Sequence, residues 1–227
     1  MPSVQPVSLP PPRRLVLFDM DDTLVCANTA GLYLRSRWRR GLLKRRELLH
    51  LLSVQLRYRL DLVDLARLTR DAIATLRDQS EAEMQDECRA LYAEEVRPRI
   101  CPTLAAIVAA HRSQGDVTAI VTASTPYLAR WLQADLAIDG LLCTELEVRE
   151  GRFTGHLAGS PCFGAAKVDR ARTLAAEFGL PLADAAFYTD SHSDLPLLQA
   201  VAYPRVVRPD PRLRAVAWRR GWPRVAT

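Results

Sequence analysis

The stretch Leu15–Val25, LVLFDMDDTLV, places four apolar residues directly before a group of three aspartates. A continuous apolar run of this length is typical of a strand that is buried on both faces of a parallel sheet. Carboxylates at the end of such a strand lie at the edge of a dry core, where their charge is unfavourable unless a positive group is near. The stretch therefore predicts a metal ion or a lysine beside these aspartates.

The composition is that of an ordinary globular protein. Of the 227 residues, 48% are hydrophobic and 25% are charged, and this length suits one domain with a large insertion or two small domains. No apolar stretch approaches the length of a membrane span, and the start MPSVQPVSLPPPRR lacks the apolar centre of a signal peptide. We therefore expect a cytoplasmic protein without a membrane partner, and a disordered proline-rich tail over residues 1–12.

The cysteines and the net charge narrow the possible partners. The five cysteines are scattered without a CxxC pair, at Cys26, Cys88, Cys101, Cys143 and Cys162. This distribution predicts neither a disulfide framework nor a zinc site, and favours buried or idle thiols in a reducing compartment. The formal net charge of +5 indicates an anionic partner without identifying it.

Strands alternate with helices over most of the chain, which indicates a parallel sheet covered by helices on both faces. After LVLF, further buried strands are predicted at VTAIV and AAFYT, and Glu150-Gly151 is predicted to form a hairpin turn. Residues 28–97 are helical in pattern, and Ser80 with Glu83 forms a capping box within them. We therefore predict a doubly wound, Rossmann-like α/β core over residues 13–27 and 98–227, with a helical cap, residues 28–97, inserted after the first strand.

Polar side chains follow the predicted strands at Asp19, Thr122 and Asp190. In an open α/β sheet the ligand site lies beyond the carboxyl ends of the strands, so we expect these residues to meet in one crevice. Asp19 and Asp190, together with water and a backbone carbonyl, suit Mg²⁺, and Asp194 can support them. Lys167 begins a helix and adds a positive charge. This combination of groups suits phosphoryl transfer.

Four segments in order, FDMDDTLV, IVTAS, Lys167 and YTDSHSDLPLL, resemble the motifs of haloacid dehalogenase superfamily phosphatases. The resemblance extends from Leu15 to Val207, and the helical insertion is similar to the cap of the phosphoserine phosphatase-like subgroup. It implies Mg²⁺-dependent hydrolysis of a small phosphorylated metabolite through an aspartyl-phosphate. It also favours a phosphatase over a dehalogenase or a transport ATPase, because Asp21 supplies a carboxylate that those relatives lack.

The resemblance implies a role for each site residue. Asp19 is the nucleophile, and Asp21 protonates the leaving oxygen and later deprotonates the attacking water, while Thr23 holds Asp21 in place. The groups that bind the transferring phosphoryl oxygens are Thr122, Ala123 and Lys167. The groups that hold Mg²⁺ are Asp19, the backbone carbonyl of Asp21 and Asp190, supported by Asp194.

The substrate stays open at this point. In phosphoserine phosphatases a glutamate shortly after the first motif helps to hold the substrate's amino group, and the matching position here is Asn28. Phosphoserine, histidinol phosphate and a phosphorylated amine or polyol are all compatible with the sequence.

Several residues carry a second interpretation. The basic run from Arg35 to Arg46 is interpreted as a solvated helix face, with docking on nucleic acid or an anionic membrane as the alternative from another functional class. The aromatic content of 7% disfavours nucleic acid. Ser124 is interpreted as a turn or cap residue, with a contact to phosphate as the alternative. His192 is interpreted as a spacer or substrate contact, because Mg²⁺ prefers oxygen ligands. The oligomeric state is not predicted.

Overall fold

A computed structural model describes residues 13–41 and 72–227. The predicted tail over residues 1–12, the middle of the predicted cap and the part of the basic run beyond Gly41 lie outside these residues. In the described part, no helix is both long and apolar enough to cross a membrane.

Eight strands and seven α-helices lie wholly within the described residues. The strands are β1 (Leu15–Phe18), β2 (Val117–Val121), β3 (Gly140–Leu142), β4 (Leu146–Arg149), β5 (Arg152–Leu157), β6 (Ala186–Thr189), β7 (Tyr203–Val207) and β8 (Arg224–Val225). The helices are α1 (Thr29–Arg39), α2 (Glu81–Leu91), α3 (Pro102–Ser113), α4 (Pro126–Asp135), α5 (Ala165–Glu177), α6 (Leu195–Ala200) and α7 (Pro211–Arg220).

Six of the strands form one sheet, in the order β3-β2-β1-β6-β7-β8. All of its neighbouring strands are parallel, and β1 lies at the centre. Phe18 is in register with Ile120 of β2 and with Tyr188 of β6, so the residues that follow these three strands emerge side by side. The sheet with helices on its faces confirms the predicted fold class.

The central strand is buried on both faces, as its sequence predicts. Val16 and Phe18 pack into a hydrophobic cluster on one face, and Leu15 and Leu17 pack into a second cluster on the other. Phe18 stacks on Tyr188 with the ring centroids 4.8 Å apart. Burial of each of these side chains stabilises the fold by about 1.5–3 kcal/mol, and it fixes the end of β1 where the aspartates begin.

The described helices of the predicted cap pack on the first of these clusters. Leu32 of α1 and Met84 and Leu91 of α2 belong to the cluster that contains Val16 and Phe18. The predicted capping residue of α2 is confirmed, since the Ser80 side chain accepts a hydrogen bond from the Glu83 backbone N–H. The division of the chain into core and cap stays a prediction.

A hairpin of β4 and β5 lies outside the main sheet. Its turn is the predicted pair Glu150-Gly151, which adopts φ of 50° and 73°, the left-handed conformation that tight hairpin turns require. The Phe153 carbonyl accepts from the Asp78 N–H and the Gly151 carbonyl from the Glu81 N–H, both at 2.9 Å. The hairpin is therefore attached to the residues that lead into α2, a contact that the sequence did not predict.

Candidate active site

Asp19 leaves β1 in a fixed direction because its backbone N–H donates to the Tyr188 carbonyl, 2.9 Å away, and extends the β1–β6 ladder by one bond. The chain then makes a wide turn over Met20–Leu24, which the bond from the Val25 N–H to the Met20 carbonyl closes. Asp22 adopts a φ of 52° in this turn, a conformation that aspartate tolerates better than most residues. The turn keeps the three aspartates at the edge of the sheet.

Lys167 lies between two carboxylates. Its Nζ donates to Asp19 Oδ1 at 2.8 Å and to Asp194 Oδ2 at 2.9 Å, and all three residues are buried. Nζ also lies 2.8 Å from Asp194 Oδ1, but only the Oδ2 contact has hydrogen-bond geometry. Thr189 donates to Asp194 Oδ2 at 2.7 Å. Burial lowers the pKa of Lys167, but the two carboxylates outweigh this effect and raise it above its ordinary value.

The carboxyl groups of Asp19 and Asp190 carry more negative charge than one lysine offsets. Burial, against the opposing effect of Lys167, raises the pKa of Asp19 from 3.8 to about 7. Burial and then repulsion from Asp19 raise the pKa of Asp190 from 3.8 to about 8. Asp19 and Asp190 follow neighbouring parallel strands, and the charge of Asp19 therefore acts on Asp190.

This donor set fits a divalent cation. Within residues 13–41 and 72–227, no three His, Cys, Asp or Glu side chains converge as a metal-ligand group. A site built from Asp19, Asp190 and a backbone carbonyl needs only two side chains. Its donors are all oxygen atoms, and its excess negative charge is what Mg²⁺ would neutralise.

Asp21 is held by residues other than the predicted one. Its Oδ2 accepts from the Ser124 hydroxyl at 2.9 Å, and its Oδ1 accepts from the Thr29 backbone N–H at 2.6 Å. Thr23, which we expected to hold Asp21, instead donates its hydroxyl hydrogen to Asp190 Oδ1 at 3.3 Å. The prediction that Thr23 holds Asp21 is wrong, because the Thr23 side chain points toward the end of β6. Asp21 instead spans the loop after β2 and the first turn of α1.

Thr122 and Ala123 lie at the end of β2. Thr122 is buried, and its Oγ1 accepts from the Ser124 N–H at 3.1 Å, which leaves its own hydroxyl hydrogen available as a donor. Ala123 is exposed and directly follows Thr122. Both residues therefore follow the strand that neighbours β1, at the edge of the sheet where Asp19 lies.

Residues whose roles the sequence left open make structural contacts within the protein. Asn28 is the N-cap of α1, since its Oδ1 accepts from the Gly31 N–H at 2.9 Å. The His192 backbone N–H donates to Asp210, which anchors the loop after β6 to the start of α7. In the described part of the basic run, Arg39 pairs with Glu95 and Arg37 donates to Tyr33. These contacts favour the interpretation of the run as a helix face.

Ser124 and Thr29 are the site residues that sequence reasoning missed. A signal for Ser124 existed, because a hydroxyl two residues after a strand-terminal threonine can reach the same crevice. No local signal existed for Thr29, since it contributes a backbone N–H whose position depends on where α1 begins.

The family described as haloacid dehalogenase-like hydrolase matches residues 16–199. A phosphoserine phosphatase of Mycobacterium tuberculosis, SerB1, is 33% identical over 210 residues, which cover 90% of this chain and 68% of that protein. A histidinol-phosphatase of Neisseria meningitidis serogroup C is 29% identical over 216 residues, which cover 93% of this chain and 97% of that protein.

Solved structures share the fold. A protein of unknown function from Bordetella pertussis Tohama I superposes with a TM-score of 0.85 at 29% identity, covering 94% of this chain and 98% of that one. A substrate-bound phosphoserine phosphatase superposes with a TM-score of 0.68 at 18% identity, covering 90% of each chain. At that identity the likeness concerns the fold alone.

Proposed function

This chain belongs to the haloacid dehalogenase-like hydrolases as a phosphatase related to phosphoserine and histidinol phosphatases, and on that premise we propose that it hydrolyses a small phosphomonoester with Mg²⁺ through an aspartyl-phosphate. The observation that carries the proposal is the buried Asp19–Lys167–Asp194 cluster, beside an Asp21 carboxylate that is held separately. Two carboxylates in different surroundings at one strand end can perform two different chemical tasks.

In the first step, Asp19 attacks the phosphorus atom and forms an acyl phosphate. Lys167 holds Oδ1, so Oδ2 is the oxygen that we assign to the attack. The ester P–O bond breaks on the opposite side, and Asp21 gives its proton to the departing oxygen. Lys167, the Thr122 hydroxyl and the Ala123 N–H bind the phosphoryl oxygens on which charge accumulates.

In the second step, Asp21 takes a proton from water, and the water oxygen bonds to the phosphorus atom. The bond between phosphorus and Asp19 then breaks, which releases phosphate and restores both carboxyl groups. Ser124 and the Thr29 N–H keep the Asp21 carboxyl group in one orientation through both proton transfers, because each donor fixes one of its oxygens.

The residues that would hold Mg²⁺ are Asp19, Asp190 and the backbone carbonyl of Asp21, with Asp194 in support through Lys167. When bound, the ion neutralises the carboxylates and the phosphoryl charge. Thr23 orients Asp190 for this task rather than Asp21.

The substrate class is a small phosphorylated metabolite. Histidinol phosphate and phosphoserine are the first two to test, because the relatives named for them match 93% and 90% of this chain, respectively. Asn28 occupies the position of the glutamate expected for phosphoserine and is engaged in capping α1, which favours a substrate whose amino group is not held there. We assign the selection of the leaving group to the cap, residues 28–97.

The test is turnover of p-nitrophenyl phosphate and of a panel of phosphorylated metabolites, with Mg²⁺ and with a chelator. We expect Asp19→Asn to abolish hydrolysis. Asp22→Asn is the matched control, because it changes a neighbouring aspartate and asparagine tolerates the same left-handed backbone. Equal activity of Asp19→Asn and the unmodified protein would refute the proposal, as would salt-sensitive binding to DNA or anionic vesicles without turnover of any phosphoester.

A further inference from the structure

Cys26 and Cys101 lie diagonally across a short antiparallel ribbon, although they are far apart in the sequence. Val25 and Ile100 form an antiparallel bridge, and the flanking backbone bonds run from the Cys26 N–H to the Arg99 carbonyl and from the Cys101 N–H to the Leu24 carbonyl, at 2.7 and 2.8 Å. This short ribbon joins the segment that enters the cap to the segment that leaves it. Both cysteines project from the ribbon toward the same cation.

That cation is the guanidinium group of Arg208. Its Nη1 lies 2.9 Å from the Sγ of Cys26 and 3.8 Å from the Sγ of Cys101. Its Nη2 donates to the backbone carbonyls of Asp22 and Thr23 at 2.8 and 2.9 Å, which fixes the group in place. The positive charge beside the Cys101 sulfur favours its thiolate, and the thiolate is the reactive form of a cysteine.

The two thiols differ in access and environment. Cys26 is exposed, whereas Cys101 is buried at the N-cap of α3. Burial opposes ionisation of Cys101, but the Leu104 N–H, Arg208 and a hydrogen bond from Cys26 together lower its pKa below the ordinary value. The pair therefore combines a thiol that a solute can reach with a buried neighbour whose pKa is lowered. The other cysteines of the described residues are buried.

We propose that Cys26 and Cys101 are a reversible oxidation site, at which a hydroperoxide forms a disulfide that links the two cap segments. The Cys26 thiolate attacks the peroxide, whose O–O bond breaks, so that one oxygen bonds to sulfur and hydroxide or alkoxide leaves. The Cys101 thiolate then attacks the Cys26 sulfur, the S–O bond breaks, and a second hydroxide leaves. Two thiols are oxidised and one peroxide is reduced.

The two sulfur atoms take no part in the proposed phosphatase chemistry, although Arg208 also binds the carbonyls of Asp22 and Thr23 in the turn after β1. The Cys26 and Cys101 sulfur atoms contact Arg208 and not Asp19, Asp21 or Lys167. Disulfide formation is measured without any phosphatase substrate. The disulfide closes the chain between Cys26 and Cys101 into a loop, and it therefore stabilises the fold against unfolding. Its formation does not depend on whether the protein hydrolyses phosphoesters.

The experiment treats the reduced full-length protein with hydrogen peroxide, alkylates the remaining thiols and maps the peptides by mass spectrometry. We expect a Cys26–Cys101 linked peptide that dithiothreitol removes, and a higher Tm for the oxidised protein. Cys88→Ser is the matched control for loss of a thiol, because Cys88 is buried in α2 and should leave the linked peptide unchanged. Arg208→Gln should slow linkage by about tenfold, because it removes the positive charge beside both sulfur atoms, and Arg208→Lys should preserve most of the rate.

Three results would overturn the inference. The first is oxidation of Cys26 to sulfinic acid without linkage to Cys101, since this would show that the neighbouring thiol does not resolve the sulfenic acid. The second is a disulfide from Cys26 to another cysteine or to a second copy of the chain. The third is a lower Tm on oxidation, which would show that the linkage requires a distorted ribbon. All three are measured on the unmodified protein, so they do not depend on any variant folding.

Discussion

Replacing Lys167 with methionine should destabilise the protein far more than loss of a surface ion pair. Lys167 is 3% exposed and donates to both Asp19 and Asp194, so the substitution leaves two buried carboxylates without their cation. Removal of one partner from a buried ion pair costs about 3–5 kcal/mol, and we expect a value near the upper end because one lysine serves two acids. Methionine retains most of the volume, so the loss is chiefly electrostatic.

The assay is urea denaturation in metal-free buffer, followed by circular dichroism. Arg172→Met is the surface control, because the Arg172–Asp169 pair is largely exposed and its loss should cost less than about 1 kcal/mol. The double variant Lys167→Met/Asp194→Asn removes one of the stranded charges and should recover part of the loss. If Lys167→Met is unfolded in buffer, the double variant should regain a folding transition.

A loss below about 1 kcal/mol for Lys167→Met would refute this reasoning, because such a value is typical of solvated pairs. A double variant no more stable than Lys167→Met would also contradict it. That result would mean that the charge of Asp194 is not what the lysine offsets.

Three further predictions test other parts of the structure. Ser124→Ala should lower kcat by about tenfold or more with little change in KM, because only the orientation of the general acid is altered. Ser124→Thr should restore much of the kcat. An unchanged kcat of Ser124→Ala in steady-state assays would contradict this. The pKa values of Asp19 and Asp190 are raised in the folded protein, so their contribution to stability is complete below about pH 4 and is lost as the pH rises to about 8. Scanning calorimetry should therefore show that Mg²⁺ raises the Tm more at about pH 8 than at about pH 5. An equal rise in Tm at both pH values would refute this. Phe153→Ala should lower the free energy of unfolding by about 3–5 kcal/mol in urea denaturation, because Phe153 is buried against Tyr127. Phe178→Ala, at an exposed position, should lower it much less. Equal losses of stability would contradict the packing of the hairpin.

The sheet and its catalytic edge could be predicted because their signals are local. The run of four apolar residues before Asp19 indicates a central strand, and polar residues after two further apolar runs mark the same edge of the sheet. Lys167 carried an additional signal, since it is one of only two lysines in an arginine-rich chain.

The contacts that the sequence did not reveal are long-range ones. Thr23 was assigned to Asp21 because the two are close in sequence, but the turn at Asp22 directs the threonine toward Asp190. The proximity of Cys26 and Cys101 arises only when both cap segments return to the sheet, where Arg208 meets them from the end of β7. No spacing within the chain encodes such a meeting.

The attachment of the hairpin to the start of α2 was missed for the same reason. The turn at Glu150-Gly151 was correctly predicted from its residues. The residues that the hairpin contacts, Asp78 and Glu81, lie far earlier in the sequence. Local patterns specify that a hairpin forms, whereas packing decides where it lies.

The central claim is that Asp19 accepts the phosphoryl group, and it is tested most directly by trapping the acyl phosphate. Protein quenched during turnover with Mg²⁺ is treated with borohydride, which reduces an aspartyl-phosphate to homoserine, and its peptides are mapped by mass spectrometry. We predict homoserine at residue 19, absent when substrate is omitted and absent in Asp19→Asn. Sustained turnover with an unmodified Asp19, or with the trapped residue at another aspartate, would contradict the account.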